Sequence, residues 1–128
     1  VDLTEFIDRE MTKPFVPGQT DCANTADRWF TECRGFSAMA AYGRTVRDAD
    51  DMSEWLNEPG SIVRGMRQVM EMNGCVRTTT PVVGDVGIII IGMRACIAIM
   101  TLNGWWSRDE TGFIAADDSY RNIAWSVV

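Results

Sequence analysis

Gly84-Asp85-Val86-Gly87-Ile88-Ile89-Ile90-Ile91 decides how the rest of the chain is read. Gly-Asp is turn chemistry, because glycine admits a left-handed backbone and aspartate bonds its own main chain. Everything after Asp85 in this stretch is apolar apart from Gly87. A short run of β-branched residues that opens on a turn predicts a strand. Because it does not alternate, it predicts a central strand covered on both faces. It is also far short of the roughly 20 residues that a membrane-spanning helix needs, so no membrane span is expected.

Downstream, the chain keeps the character of strands. Ala95–Leu102 reads as a second strand, and Asn103-Gly104 is a hairpin signal leading into Trp105 and Trp106. Phe113–Ala116 and Ile123–Val128 are shorter strand candidates, and Cys75–Thr80 is a β-rich stretch ending at Pro81. Upstream, the period changes to that of helices. Asp2 can cap a helix in which Leu3, Phe6, Ile7 and Met11 share a face; Pro14 and Pro17-Gly18 end it. A second helix opens at Asp21-Cys22, with Ala23, Ala26, Phe30 and Cys33 at helical spacing, Trp29 beside them and Gly35 as its stop. Tyr42–Asp51 reads as a loop, Met52–Leu56 as a short helix. Ser61 is expected to cap a third long helix that buries Ile62, Met66, Val69 and Met70 and stops at Asn73-Gly74. Helices first and strands afterwards predict an α+β domain, its N-terminal helices packed on a C-terminal antiparallel sheet.

The chain's 128 residues fit a single domain spanning 1–128. With 46% apolar and 23% charged residues, a core without covalent staples is feasible. The net charge of −6 disfavours nucleic acid, whose phosphates need clustered Lys and Arg; Arg44, Arg47, Arg64 and Arg67 are scattered among acids. Val1-Asp2-Leu3-Thr4-Glu5 lacks the basic-then-apolar order of a secretion signal, so a soluble protein made in the cytoplasm is expected. The four cysteines, Cys22, Cys33, Cys75 and Cys96, form no C-x-x-C pair, and the chain has no histidine to complete a mixed zinc site. Reduced, buried thiols are expected, with no metal and no cofactor.

Cys22 stands apart because it opens a helix. There it meets unpaired N–H groups and the positive end of the macrodipole, both of which favour thiolate. The surroundings resemble the NlpC/P60-type papain-like cysteine peptidases, and in particular their small phage tail-associated branch. The residues that carry the resemblance are Asp21-Cys22-Ala23-Asn24-Thr25-Ala26-Asp27-Arg28-Trp29, Gly84-Asp85-Val86-Gly87-Ile88-Ile89, Cys96-Ile97-Ala98-Ile99-Met100 and the terminal Ala124-Trp125-Ser126-Val127. Together they cover the chain from about Gln19 to its end. In that family a histidine on the later strand activates the cysteine. Here the matching position is Cys96, or Ala95 if the register slips by one; the third, polar family position falls near Ser107. A thiol cannot stand in for imidazole as general base, and that base is typically worth about 10²–10⁴-fold. Cys22 and Cys96 are therefore vestigial positions, and no catalytic residue is expected. Asp21, Asp85, Asp109, Glu110, Asp117 and Asp118 are the remaining candidate bases; each would need burial to raise its pKa. If the family geometry holds, Cys22 and Cys96 face one another, as two separate thiols or as a linked or metal-sharing pair.

The resemblance implies a pseudo-peptidase used as a structural component of a tail tip or baseplate. Other tail proteins would then be its partners and the virion its location. Two other functions compete: a cysteine hydrolase acting on peptidoglycan peptides with an unusual base, and a small-ligand module reusing the cleft. Trp105 and Trp106 are the interface candidates, since neighbours on a strand point to opposite faces and one of them would face outward unless it lies flat on its own sheet. The methionines read as core filling.

Overall fold

The structure, a computed structural model, describes residues 2–128. The helices are α1 (Leu3–Met11), α2 (Cys22–Arg34), α3 (Ala38–Tyr42), α4 (Ala49–Leu56) and α5 (Ser61–Met72). The strands are β1 (Val86–Ile91), β2 (Arg94–Thr101), β3 (Gly104–Asp109), β4 (Gly112–Ala116) and β5 (Arg121–Trp125), with a 3₁₀ turn at Asp118–Tyr120 before the last. They form a five-stranded sheet in the order β4-β3-β2-β1-β5, every pairing antiparallel. The α+β reading therefore holds, and β1 lies between β2 and β5 as a central strand should.

Period-two alternation divides the strands between two cores. Val86, Ile88, Ile97, Ile99 and Trp106 face the helices and pack with Phe6, Ala26, Trp29, Phe30, Ile62 and Met66. Ile89, Cys96, Ala98, Met100, Trp105 and Ala124 form a second cluster on the other face. α2 is tied to the turn that opens β1, because Trp29 Nε1 donates to the Gly84 carbonyl at 2.7 Å. That turn needs Gly84 for two reasons: its φ is +97°, and an added Cβ would come within 2.9 Å of Val128. Asp85 closes the turn from a buried position, accepting from Val82 N at 2.9 Å and from Val127 N at 3.2 Å. Asp85→Ala would strand the buried Val127 N–H and free the more exposed Val82 N–H to water, and is expected to cost about 1–3 kcal/mol in urea unfolding. Asp85→Asn, which keeps an acceptor, should recover much of the loss.

Several local expectations give way. The apolar run is buried on both faces only from Val86 to Ile89; Ile90 and Ile91, at the end of β1, are exposed. Cys75–Thr80 is no strand but an extended segment with one isolated bridge, Arg77 to Trp125. Its bonds run to the end of β5 and the residue beyond it. The expected loop from Tyr42 is preceded by α3, capped by Ser37 and stopped by Gly43. Ser61 does not cap α5; Gly60 stands at the cap without a side-chain bond. On α1, Met11 is exposed and Glu10 is buried in its place.

Glu10 is held by Arg28 and Lys13. Burial raises its pKa, but hydrogen bonds and charge from Arg28 and Lys13 outweigh that and leave it below the usual carboxylate value. A depressed folded pKa stabilises the protein above the unfolded value, and the contribution is lost as pH falls through the folded one. Glu10→Gln is therefore expected to cost about 1–2 kcal/mol at pH 7, modest because both cations remain partly in water. The deficit should shrink as pH falls below the usual carboxylate range and Glu10 takes up its proton, as urea titrations at neutral and acid pH would show.

No helix among the described residues is long and apolar enough to cross a membrane.

Candidate functional site

The α2 N-terminus is built as its sequence dictates. Asp21 caps it, its Oδ1 accepting from Asn24 N at 2.8 Å. Asp21 Oδ2 takes Gly18 N at 2.7 Å and Asn24 Nδ2 at 2.9 Å, so the carboxylate knits the preceding loop to the helix. Cys22 follows as the first helical residue, packed against β2 on the helix-facing side of the sheet. Its thiol is pushed up to about 12, chiefly by burial, and Asp21 and Cys96 push the same way. The Ile97 and Ala23 amides pull it down without prevailing. The thiolate that a helix start favours in principle is here outweighed by desolvation.

Cys22 and Cys96 do not face one another. Ala95 and Ile97 pack with the helix-side core that includes Cys22, whereas Cys96 packs with Ile89, Ala98 and Met100 on the opposite side. All four cysteines are free thiols. Near the start of β2 the position on the same face as Cys22, and lining the same cleft, is thus Ala95. Ser107 likewise lies with its hydroxyl bound to the Ile97 carbonyl at 2.6 Å. None of the carboxylates offered as bases is free for that work. Asp21 and Asp85 are taken up by backbone donors. Asp109 is shifted down despite its burial, by Thr111 and Arg94; Asp117 is shifted down by Ser119, and Asp118 by Arg121. Glu110 bonds Arg94 at 2.6 Å.

Over Cys22 opens a cleft of about 490 Å³, walled by Phe15, Met52, Leu56, Ile62 and Met93 and by Arg108 on β3. Sequence reasoning missed Arg108, which is buried. It reaches the C-terminal end of α1, donating through Nη1 to Glu10 O and through Nη2 to Lys13 O, each at 3.0 Å. Its guanidinium also lies 4.8 Å from the Phe113 ring, and burial lowers its pKa. A strand period of two predicts Arg108 on the same face as Trp106; the charge at a core-facing position was the available signal. Among the described residues, no cluster of three His, Cys, Asp or Glu side chains could hold a metal ion.

Neither tryptophan stands out as an exposed anchor, and Trp105 takes the flat seat that the sequence also allowed. Trp106 enters the helix-side core and stacks at 6.0 Å on Phe113. Trp105, 1% exposed, lies flat across its own sheet over Gly87 and donates from Nε1 to Asp118 at 2.9 Å.

The fold and this cleft define an α+β domain whose half-buried helix-start cysteine packs against an antiparallel sheet at the floor of an open cleft. The chain belongs to the family described as Domain of unknown function (DUF6950), whose profile matches residues 1–127. No curated protein and no solved structure matches it.

Proposed function

We propose that the chain is a degenerate papain-like domain of the NlpC/P60 type that has given up hydrolysis and serves as a structural component of a tailed-phage tail tip or baseplate. The observation that carries this reading is that Cys22, at the first turn of α2, and Ala95, on the helix-facing side of β2, line the same cleft. A nucleophile position survives while the neighbouring strand offers a methyl group where a base would be needed. A thiol with a pKa near 12 cannot be the resting nucleophile of a hydrolase at neutral pH, which argues against the peptidoglycan-hydrolase alternative. The assignment to a tail rests on the order of motifs shared with the small phage-associated branch, from Asp21-Cys22 through Gly84-Asp85 to the terminal Trp125. A small-ligand module is the second reading, favoured by the open cleft of about 490 Å³, a size that suits a small molecule.

Mass spectrometry of everything that co-purifies with the native protein tests the proposal, together with the stoichiometry of the complex. Recovery in a tail-tip or baseplate particle is expected; recovery only as a lone monomer would overturn it. Ala95→His tests the vestigial geometry. It is expected to raise the reactivity of Cys22 towards a disulfide reagent at pH 7.5 at least tenfold over Ala95→Gln. Equal rates in the two variants would mean that Ala95 does not occupy the vacated place.

A further inference from the structure

The two edges of the sheet are treated differently. At the β5 edge the chain covers itself: Thr78 N donates to Ala124 O at 2.9 Å and Ser126 N to Val76 O at 2.8 Å. The β4 edge is bare. β4 ends the sheet, and its outer backbone pairs with nothing among the described residues. Gly112-Phe113-Ile114-Ala115-Ala116 also carries none of the usual guards of an open edge, no lysine, no proline and no inward charge. The two-residue loop between Asp109 and Gly112 makes these two the closing pair. Alternation then turns the N–H and C=O groups of Phe113 and Ala115 outward.

Beside this edge, on the helix side, runs an apolar groove of about 360 Å³ between α1 and the sheet, lined by Leu3, Ile7, Trp106 and Ala115. Trp106 Nε1 is buried without an acceptor, and its ring forms part of that wall. An extended segment laid along β4 would gain main-chain bonds from the edge and place every second side chain over this groove, the usual division of affinity and specificity in strand addition.

Charge selects the occupant. At one end of β4, Asp109 and Glu110 share a single cation, Arg94. At the other, Arg121 pairs with Asp118, and Asp117 forms no ion pair among the described residues. The Asp117 end therefore carries net negative charge, while at the Glu110 end Arg108, seated against Phe113, adds a second cation and balances the two acids. A second copy pairing antiparallel through β4 would bring the Glu110 end against the Asp117 end, on two chains each of net charge −6. We propose that the β4 edge is a strand-addition site for an extended, alternating apolar segment of another protein flanked by Lys or Arg. This surface stands apart from the pseudo-peptidase reading, since it uses neither Cys22 nor the cleft above it.

The probe is acetyl-Lys-Lys-Val-Thr-Val-Thr-Val-Lys-Lys-amide, with a twin in which Glu replaces each Lys, titrated into the full chain. Saturable binding of the Lys-flanked peptide is expected, with new protection of the Phe113 and Ala115 amides in hydrogen exchange. The twin should bind at least tenfold more weakly. Ala115→Pro removes an outward N–H and should weaken the Lys-flanked peptide at least tenfold; Phe113→Lys, which keeps the backbone and adds like charge, should do the same if the proline variant fails to fold. No saturation, equal affinity for the twins, undiminished binding by both variants, or self-association through β4 in sedimentation would each overturn the proposal.

Discussion

At pH 7.5, Cys22 is expected to react with an aromatic disulfide reagent about 50-fold more slowly than a cysteine in an unfolded peptide. Its thiol is pushed up from 9.0 to about 12, so its thiolate fraction falls by about a thousandfold. Intrinsic nucleophilicity rises with pKa, with a Brønsted coefficient of about 0.4–0.5, and returns roughly 15- to 30-fold of that loss. The rate should climb about tenfold per pH unit from neutrality towards pH 11, because only the thiolate reacts. Peptide mapping by mass spectrometry separates Cys22 from Cys33, which is also partly exposed. Labelling of Cys22 at neutral pH as fast as free cysteine would reveal an activated thiolate and return the hydrolase reading to first place.

Gly87→Ala is expected to be strongly destabilising although it adds a single methyl group. Gly87 sits in β1 between Ala98 of β2 and Ala124 of β5, and this row of small residues lets the Trp105 ring lie flat on the sheet. A Cβ at position 87 would meet Trp105 Cη2 at 2.7 Å and the Ile123 carbonyl oxygen at 2.8 Å. The ring cannot simply lift, because its Nε1 is bonded to Asp118 and its face covers the second core. The oxygen belongs to backbone that pairs with β1 itself. Overpacking usually costs about 1–3 kcal/mol, and a clash with main chain on one side puts this case at about 3 kcal/mol or more. With urea slopes of about 1–3 kcal/mol per molar, the midpoint should fall by about 1–3 M. Trp105→Leu in the same chain should recover part of the loss, since the ring contact goes and the carbonyl contact stays. A midpoint unchanged by Gly87→Ala would show that the ring does not lie where described.

Much of this architecture is legible in local sequence because it rests on local rules. Asp2 and Asp21 are helix caps because their carboxylates reach the amides of the first turn, and Gly35 ends α2 because its φ of +82° suits glycine. The apolar run at Val86–Ile91, interrupted only by Gly87, announces a central strand, and Asn103-Gly104 marks the β2–β3 hairpin. The absence of histidine disposes of a Cys-His dyad before any coordinates exist.

Side-chain direction is where local reading stops. A strand slipped by one residue turns every side chain to the other face, so sequence could name both Ala95 and Cys96 but could not choose between them. The pairing of Ile88 with Ile97 and Ile89 with Cys96 makes the choice: Ile97 turns to the helices with Cys22, and Cys96 turns away. The same holds for the tryptophans, whose opposite faces were predictable while the flat seat of Trp105 depends on Gly87, a residue from another strand. Arg108 and Glu10 are buried charges whose partners come from distant segments: carbonyls for the two Arg108 Nη groups, though not for its Nε, and cations for Glu10. By itself the sequence determined the longer helices, the strands of the sheet, the β2–β3 hairpin and the missing histidine, since each is set by neighbours along the chain, whereas α3 and the unpaired Cys75–Thr80 segment were not legible. Only the tertiary structure decided which face each strand residue joins, why the Cys22 thiol stays protonated and which sheet edge is left open, because these depend on groups far apart in sequence sharing one dry interior.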